Sequence, residues 1–131
     1  MKSLFALILS VIALCSMPVW AEKTAVTEAF EAHQSHIQLE GAGEVMRLLP
    51  DDTQGAKHQK FVLRLEDGST VLIAHNIDLA QRVDKLKIGD AVQFSGEYEW
   101  NRQGGVIHWT HDDPQGQHED GWLYVNGRSY H

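Results

Sequence analysis

Side chains that can bind a metal ion are concentrated near the C-terminus of this 131-residue chain. His108, His111, Asp113 and His118 lie within eleven residues, in the pattern H-x2-H-x-D-x4-H. Imidazole and carboxylate ligands together suit zinc, copper, nickel or iron. Successive positions of a strand point to opposite faces, so His108 and His111 can converge only if the strand ends between them and the chain then turns. With that condition, the spacing predicts a site for a divalent transition metal such as zinc.

The same run has a second interpretation, as a structural loop. Asp113 would then hydrogen-bond to backbone groups of a turn, and the histidines would fix the loop. Trp109 and Trp122 would pack over the domain as anchors. His75, near the end of a predicted strand, is a further candidate ligand or a hydrogen-bonded histidine at the edge of the core. The sequence leaves these alternatives open.

Metal-assisted hydrolysis would require an open coordination position and a general base in addition to the ligands. Ser69, Ser95 and Ser129 lie in no nucleophile elbow, and no phosphate-binding loop or dinucleotide fingerprint is present. Catalytic residues therefore stay unassigned. Four carboxylates are candidates for the base, and nothing in the pattern selects among Glu97, Glu99, Asp112 and Glu119.

A second candidate site combines basic and aromatic side chains from two predicted loops. Aromatic rings beside cations can stack on nucleic-acid bases and also on sugar rings. These residues predict binding of a small or oligomeric ligand, an oligosaccharide or an oligonucleotide, although Trp100 could instead continue the core side of its strand. The members of this set are Lys57, His58, Lys60, Trp100, Arg102 and Trp109.

The N-terminus has the pattern of a secretory signal peptide. A positive charge at Lys2 precedes the apolar run Leu4–Leu14, which is too short for a spanning helix of roughly 20 residues. Val19-Trp20-Ala21 then forms a cleavage site before Glu22. The pattern predicts a periplasmic or secreted protein without a membrane anchor after cleavage. Lipidation of Cys15 is disfavoured because Leu14 precedes it, where a small residue is needed.

Removal of residues 1–21 leaves 110 residues and no cysteine, since Cys15 is the single cysteine of the chain. A disulfide framework is thereby excluded. Removal takes away Lys2 but no acidic residue, so the formal net charge goes from −7 to −8. An acidic domain has no broad electrostatic footprint for nucleic acid, which makes the case for a nucleic-acid partner weak.

Alternation of apolar and polar residues predicts a β-rich domain after an N-terminal helix. We expect three regions: the signal peptide (1–21), the helical segment (22–36) and a domain over 37–131. Three strands, a short helix and two strands are the element order of an OB-fold, a five-stranded Greek-key barrel. The predicted elements are helix Glu22–Ser35, strands Gly41–Leu49, Phe61–Leu65 and Thr70–Ala74, helix Leu79–Leu86, strands Val92–Trp100 and Val106–Thr110, and an irregular tail His111–His131.

Several segments of the chain resemble a family of small exported bacterial proteins, the domain of unknown function 3465. The resemblance extends from Gly41 to Tyr130 and implies an OB-like barrel and export. It implies no activity and assigns no catalytic residue. The segments that carry it are Gly43–Asp52, Ala74–Ala80, Gly96–Trp100, His108–His118 and Gly121-Trp122.

Two hypotheses of function follow from these patterns. The first is an exported OB-fold module that binds a small or oligomeric ligand in the cell envelope. The alternative is a metal-dependent hydrolase that uses the cluster of His108, His111, Asp113 and His118. A scaffold or inhibitor that binds another envelope protein is a third option, and an exposed apolar patch would favour it.

Overall fold

The computed structural model describes residues 3, 6, 8–14 and 21–131. Much of the predicted signal peptide, including Cys15 and the cleavage-site residues Val19 and Trp20, lies outside these residues. Within the described part of the chain, no helix is both long and apolar enough to cross a membrane. The described elements are one helix, α1 (Ala25–Glu31), and seven strands: β1 (Ile37–Asp52), β2 (His58–Leu65), β3 (Thr70–Asn76), β4 (Ala91–Glu99), β5 (Val106–His108), β6 (Trp122–Val125) and β7 (Arg128–Tyr130).

Five of the strands close into a ring in the order β1-β2-β3-β5-β4, because β1 pairs with both β2 and β4. The N-terminal half of β1, Ile37–Glu44, is antiparallel to β4, and its C-terminal half is antiparallel to β2. Two glycines permit these close approaches. A Cβ on Gly41 would lie 2.6 Å from the Phe94 ring, and one on Gly43 would lie 2.6 Å from the Arg64 carbonyl oxygen.

The interior of the ring is filled by the apolar side of each strand. The alternation predicted for the second and fourth strands is confirmed, since Phe61, Leu63, Phe94 and Tyr98 are fully buried. The Asp67-Gly68 turn is also confirmed: β2 and β3 pair in antiparallel fashion around it, and Gly68 has φ +83°. Burial of these side chains is the main source of the domain's stability.

The predicted helix Leu79–Leu86 is wrong, because the chain between β3 and β4 has no regular structure. Apolar spacing did identify a buried residue, Val83, but Leu79 is 54% exposed. The Gln59 side chain accepts a hydrogen bond from the N–H of Val83 and donates one to its carbonyl oxygen. A buried amide from β2 therefore satisfies backbone groups that the helix would have paired internally.

The predicted irregular tail is also wrong, because it contains β6 and β7. Strand β5 is shorter than predicted: it is parallel to β3 on one side and covers only Glu97–Glu99 of β4 on the other. Strand β6 pairs with the remainder of that edge of β4, Val92–Ser95. The turn between β6 and β7 is Asn126-Gly127, with φ values of +51° and +79°. Asn-Gly is a strong hairpin signal, and it lies inside the segment that was predicted to be irregular.

Helix α1 is shorter than the predicted span Glu22–Ser35 and is fixed to the sheet at both ends. Thr24 caps its start, accepting a hydrogen bond from the N–H of Thr27. Near its other end, the Trp100 indole N–H donates to the carbonyl oxygen of Phe30 at 3.1 Å. A seven-residue helix is not stable alone, so these anchors determine whether it forms.

The carboxylate of Asp67, in the β2–β3 turn, is the principal anchor at the N-terminus of α1. It accepts hydrogen bonds from the backbone N–H and hydroxyl of Thr24, the hydroxyl of Thr27, and the backbone N–H and hydroxyl of Ser69. Burial alone would raise the pKa of Asp67, but the hydrogen bonds from Ser69, Thr24 and Thr27 hold that pKa well below its usual range.

Substitution of Asp67 by alanine is expected to lower the free energy of unfolding by about 2 kcal/mol, because it leaves several donors without their acceptor. Helix α1 should lose protection from amide hydrogen exchange before the sheet does. Urea unfolding and hydrogen exchange measure the two effects. Glu66→Ala is the matched control in the same turn. Equal exchange rates for α1 in both variants would contradict the anchoring role.

Candidate metal centre

Two carboxylates on the outer side of β4 form the base of a cluster of potential metal ligands. Glu97 and Glu99 alternate with the buried residue Tyr98, so both point away from the core. His108 of β5 lies opposite Glu97 in the register. Its Nε2 atom is 3.1 Å from Glu97 Oε2 and 3.5 Å from Glu99 Oε1. Strand pairing thus brings one imidazole against two carboxylates.

His36 adds a second imidazole from the other edge of β4. Its backbone N–H donates to the carbonyl oxygen of Tyr98, and its φ of +61° turns the chain into β1. Its Nδ1 atom is 2.8 Å from Glu99 Oε1. One ligand atom from each of His36, Glu97 and Glu99 lies within 4.8 Å of the others, a spacing that one metal ion could bridge.

His118 brings a third imidazole from the loop before β6. Its Nε2 atom is 3.4 Å from Glu97 Oε1, on the carboxylate oxygen not used by His108. Its Nδ1 atom is 2.7 Å from the carbonyl oxygen of Glu119. Because a carbonyl can only accept, Nδ1 carries a hydrogen, and Nε2 is the ring nitrogen directed at Glu97. Such a carbonyl partner commonly orients a histidine ligand toward a metal.

Trp109 supports the ring of His118 from behind. The two rings stack with centroids 3.9 Å apart and an interplanar angle of 22°. Trp109 has φ +55°, an uncommon conformation for a large residue, which turns the chain sharply after β5. This turn comes before Thr110, the predicted end of the strand. It lets His118 return to the same side of the sheet.

The cluster has an unsatisfied polar atom at its centre. The Nε2 atom of His108 is buried and has no hydrogen bond of acceptable geometry, although two carboxylates surround it. A proton or a cation between these groups would satisfy them together. The separations of 3.1, 3.4 and 3.5 Å resemble those between neighbouring ligands of a tetrahedral ion with bonds of roughly 2.0–2.1 Å.

The structure places two of the predicted ligands elsewhere. His111 is 2% exposed, and its Nδ1 atom is 2.7 Å from the carbonyl oxygen of Asp112. Asp113 accepts hydrogen bonds from the backbone N–H groups of Gln115, Gln117 and His118. Hydrogen bonding, first from Gln115, lowers the pKa of Asp113 below its usual value. These two residues hold the loop, as in the structural-loop interpretation, while His108 and His118 reach the cluster.

His75 lies outside the cluster, with both ring nitrogens hydrogen-bonded. Its Nε2 atom is 2.9 Å from the Gln81 carbonyl oxygen and its Nδ1 atom is 2.7 Å from the Thr110 hydroxyl. Since the carbonyl can only accept, Nε2 donates and Nδ1 accepts from Thr110. Burial lowers the pKa of His75, which keeps the ring neutral. This geometry matches the alternative of a hydrogen-bonded histidine at the edge of the core.

A family model described as protein of unknown function, DUF3465, matches residues 7–131. The chain belongs to the DUF3465 family. The match agrees with the family resemblance of the segments between Gly41 and Tyr130. No curated protein matches this DUF3465 chain.

The structure of the DUF3465 protein does not bring the predicted ligand-binding set together. His58 pairs with Asn76 at one end of β3, whereas Arg102 lines a cavity with Thr70 at the other end. A strand of seven residues separates these ends by roughly 20 Å. Lys57 lies beside His58, and Lys60 pairs with Ala74. Trp100 packs against α1, and Trp109 stacks on His118.

Three residues of the cluster were not predicted as ligands. Glu97 and Glu99 were considered only as general bases, although their alternation beside a strand containing His108 places all three on one face once the register is known. His36 precedes a strand and has a left-handed backbone conformation. No local pattern indicates that it lies near residues about 60 positions further along the chain.

Proposed function

We propose that this DUF3465 protein is an exported domain that binds one divalent transition-metal ion, with zinc the best fit. The ion would lie among three imidazoles and two carboxylates. The single observation that supports the proposal is the convergence of these groups from β4, β5 and two loops that are distant in sequence. The proposed ligands are His36, Glu97, Glu99, His108 and His118.

The chemistry of the donor set favours a borderline transition metal. Imidazole nitrogen with carboxylate oxygen suits zinc, copper, nickel or iron, whereas calcium and magnesium prefer oxygen donors alone. Two carboxylates would also balance the double charge of the ion. The carbonyl partner of His118 and the stacked Trp109 would hold one ligand in place before the metal arrives, which reduces the cost of binding.

The number of ligands favours binding over hydrolysis. Catalytic zinc sites commonly keep three protein ligands and leave a position for water, while structural sites are closed by four. Here His108, Glu97 and Glu99 lie together, with His36 and His118 adjoining the same carboxylates. We therefore propose stable metal binding and place the hydrolase hypothesis second.

The fold and location form part of the same proposal. The order β1-β2-β3-β5-β4 with a parallel β3–β5 pair supports assignment of the ring to the OB-fold. Export is supported by the apolar run near the N-terminus, whose described large residues are 77% to 93% exposed and so add nothing to the core. These residues are Ile8, Leu9, Val11, Ile12 and Leu14. A periplasmic or secreted protein would take its metal from the envelope or the medium.

The proposal is tested by titrating zinc into chelator-treated protein that carries no affinity tag. We expect one ion to bind per chain and to raise the melting temperature, since a ligand at about 100 times its Kd adds about 2.7 kcal/mol. His108→Ala, His118→Ala and Glu97→Gln should each weaken binding by about tenfold or more. Calorimetry measures the affinity, and thermal unfolding measures the stabilisation.

His58→Ala is the matched control, because His58 lies outside the cluster and its ring nitrogen is hydrogen-bonded to the carbonyl oxygen of Ala56. It should bind zinc as the unchanged protein does. Equal loss of affinity in His58→Ala and His118→Ala would contradict a site at the cluster. Absence of any stabilisation by zinc, copper or nickel would contradict metal binding altogether.

A further inference from the structure

A second feature lies on the outer face of the sheet formed by β4, β6 and β7. Trp122 and Tyr124 occupy alternate positions of β6 and point outward, while Leu123 and Val125 between them are buried. Tyr124 is 41% exposed. It stands opposite Gln93 on β4 and Ser129 on β7. The hairpin that completes the fold thus presents two aromatic rings on a surface that the core does not use.

Polar side chains border these rings in an open groove of 510 Å³. Asp112 and His131 form one wall, with 2.8 Å between Asp112 Oδ2 and His131 Nδ1. Gln93 and Ser129 add an amide and a hydroxyl at the rim. None of the described residues that line the groove is a lysine or an arginine. The groove therefore combines an apolar floor with neutral or paired hydrogen-bonding groups.

We propose that this groove is a binding site for a neutral oligosaccharide. Sugar rings present apolar C–H faces that stack on aromatic rings and hydroxyl groups at their edges. Trp122 and Tyr124 are roughly 7 Å apart along β6, so each can contact a different part of the ligand. Asp112, Gln93 and Ser129 supply acceptors and donors for the hydroxyls. A few placed polar groups around an apolar floor are typical of ligand sites.

The charge of the groove disfavours nucleic acid and other polyanions, even where they carry groups that could stack on the aromatic rings. Single-stranded nucleic acid binds grooves that combine aromatic rings with cations along the backbone. Here the rim carries the carboxylate of Asp112 and no lysine or arginine among its described residues. A formal net charge of −7 adds repulsion toward any polyanion. A neutral polyhydroxy ligand avoids this cost.

The oligosaccharide site does not depend on the proposed metal site. The groove and the cluster share no side chain, although the loop before β6 contributes to both. Asp112 and Gly121 from this loop border the groove, whereas His118 reaches the cluster. Sugar binding should therefore persist in the presence of a chelator, and its failure would leave the metal proposal intact.

The test uses calorimetric titration with neutral tetrasaccharides of N-acetylglucosamine and of glucose, in buffer with chelator. We expect binding of at least one tetramer and no binding of tetragalacturonate or oligothymidylate. Tyr124→Ala and Trp122→Ala should weaken that binding by about tenfold or more, the effect of losing one stacked ring. Leu48→Ala is the control, because Leu48 is a comparably exposed apolar residue, at 45%, on a different strand, β1.

Three outcomes would overturn the proposal. The first is that neither neutral tetramer binds at millimolar concentration. The second is that Tyr124→Ala and Leu48→Ala bind equally well, which would place the sugar elsewhere. The third is that the unchanged protein self-associates in sedimentation experiments while Tyr124→Ala is monomeric, which would make the face an interface between copies of this chain. Folding of each variant is checked by its far-UV circular dichroism.

Discussion

Substitution of Gly121 by alanine is expected to lower the free energy of unfolding by about 3 kcal/mol or more, the upper range for overpacking a rigid site. An added Cβ would overlap the carbonyl oxygen of Trp109 and lie 2.6 Å from that of Ser95. Neither atom can move easily. Ser95 is paired with β6 through Trp122, and Gly121 itself donates a hydrogen bond to the carbonyl oxygen of His111.

The same substitution should also abolish zinc binding in whatever protein remains folded. Gly121 fixes the point at which the loop from Trp109 returns to the sheet, and His118 lies on that loop. A displacement of the loop by about 1 Å is enough to spoil a site built from preorganised ligands. Urea unfolding measures the first effect, and zinc titration at low temperature measures the second.

Gly116→Ala is the matched control in the same loop. Gly116 has φ +67°, but nothing lies within 4 Å of the position that a Cβ would take. Gly116→Ala should therefore lower the free energy of unfolding only by the conformational strain of alanine, about 1 kcal/mol. Similar losses of stability for the two alanine variants would show that close packing at Gly121 is not what holds the loop. If Gly121→Ala bound zinc with unchanged affinity, the position of this loop would not control the metal site.

The parts of the fold that the sequence predicts are those fixed by local patterning. Alternation of apolar and polar residues is sufficient to predict the strands at Phe61–Leu65 and Val92–Tyr98, because one side of each strand faces the core. The length of β5 could not be predicted in this way, because it depends on competition between β5 and β6 for one edge of β4. The wrong prediction of a helix around Val83 has a similar cause. The side chain of Gln59, which is distant in sequence, makes the hydrogen bonds to Val83 that a helix would have made internally.

The candidate site shows the same division between local and distant information. His108 and His118 were predicted from spacing within one run of sequence. Their partners Glu97 and Glu99 lie on the neighbouring strand, and only the register of β4 with β5 brings the two groups together. The pairing of β1 with β4 brings His36 to this site across about 60 residues of chain. Metal ligands contributed by long-range pairing leave no local motif.

Replacement of His75 by phenylalanine is expected to lower the free energy of unfolding by about 2–3 kcal/mol at neutral pH. The new ring keeps most of the volume, but it leaves the Gln81 carbonyl oxygen and the Thr110 hydroxyl without partners in a buried site. Thr110 follows the strand that carries His108, so the bond also ties β3 to the site. Urea unfolding at pH 8 measures this loss.

The pH dependence of stability tests whether burial holds the His75 ring neutral. Burial lowers the pKa of His75 in the folded state below the unfolded-chain value of about 6.5, and nearby His111 and His58 lower it further. Below that pH the unfolded chain binds more protons than the folded protein, so His75 makes stability fall as the solution is acidified. This contribution is fully present above about pH 6.5 and is lost toward the folded pKa, with a slope of at most about 1.4 kcal/mol per pH unit.

His75→Phe removes this contribution, so its loss of stability relative to the unchanged protein should be smaller at pH 5 than at pH 8. Leu48→Ala changes no titratable group and is the control, so its stability should follow the pH profile of the unchanged protein closely. Unfolding is measured in the presence of chelator, so that metal binding does not contribute. A constant difference between His75→Phe and the unchanged protein across this pH range would show that His75 titrates alike in the folded and unfolded states.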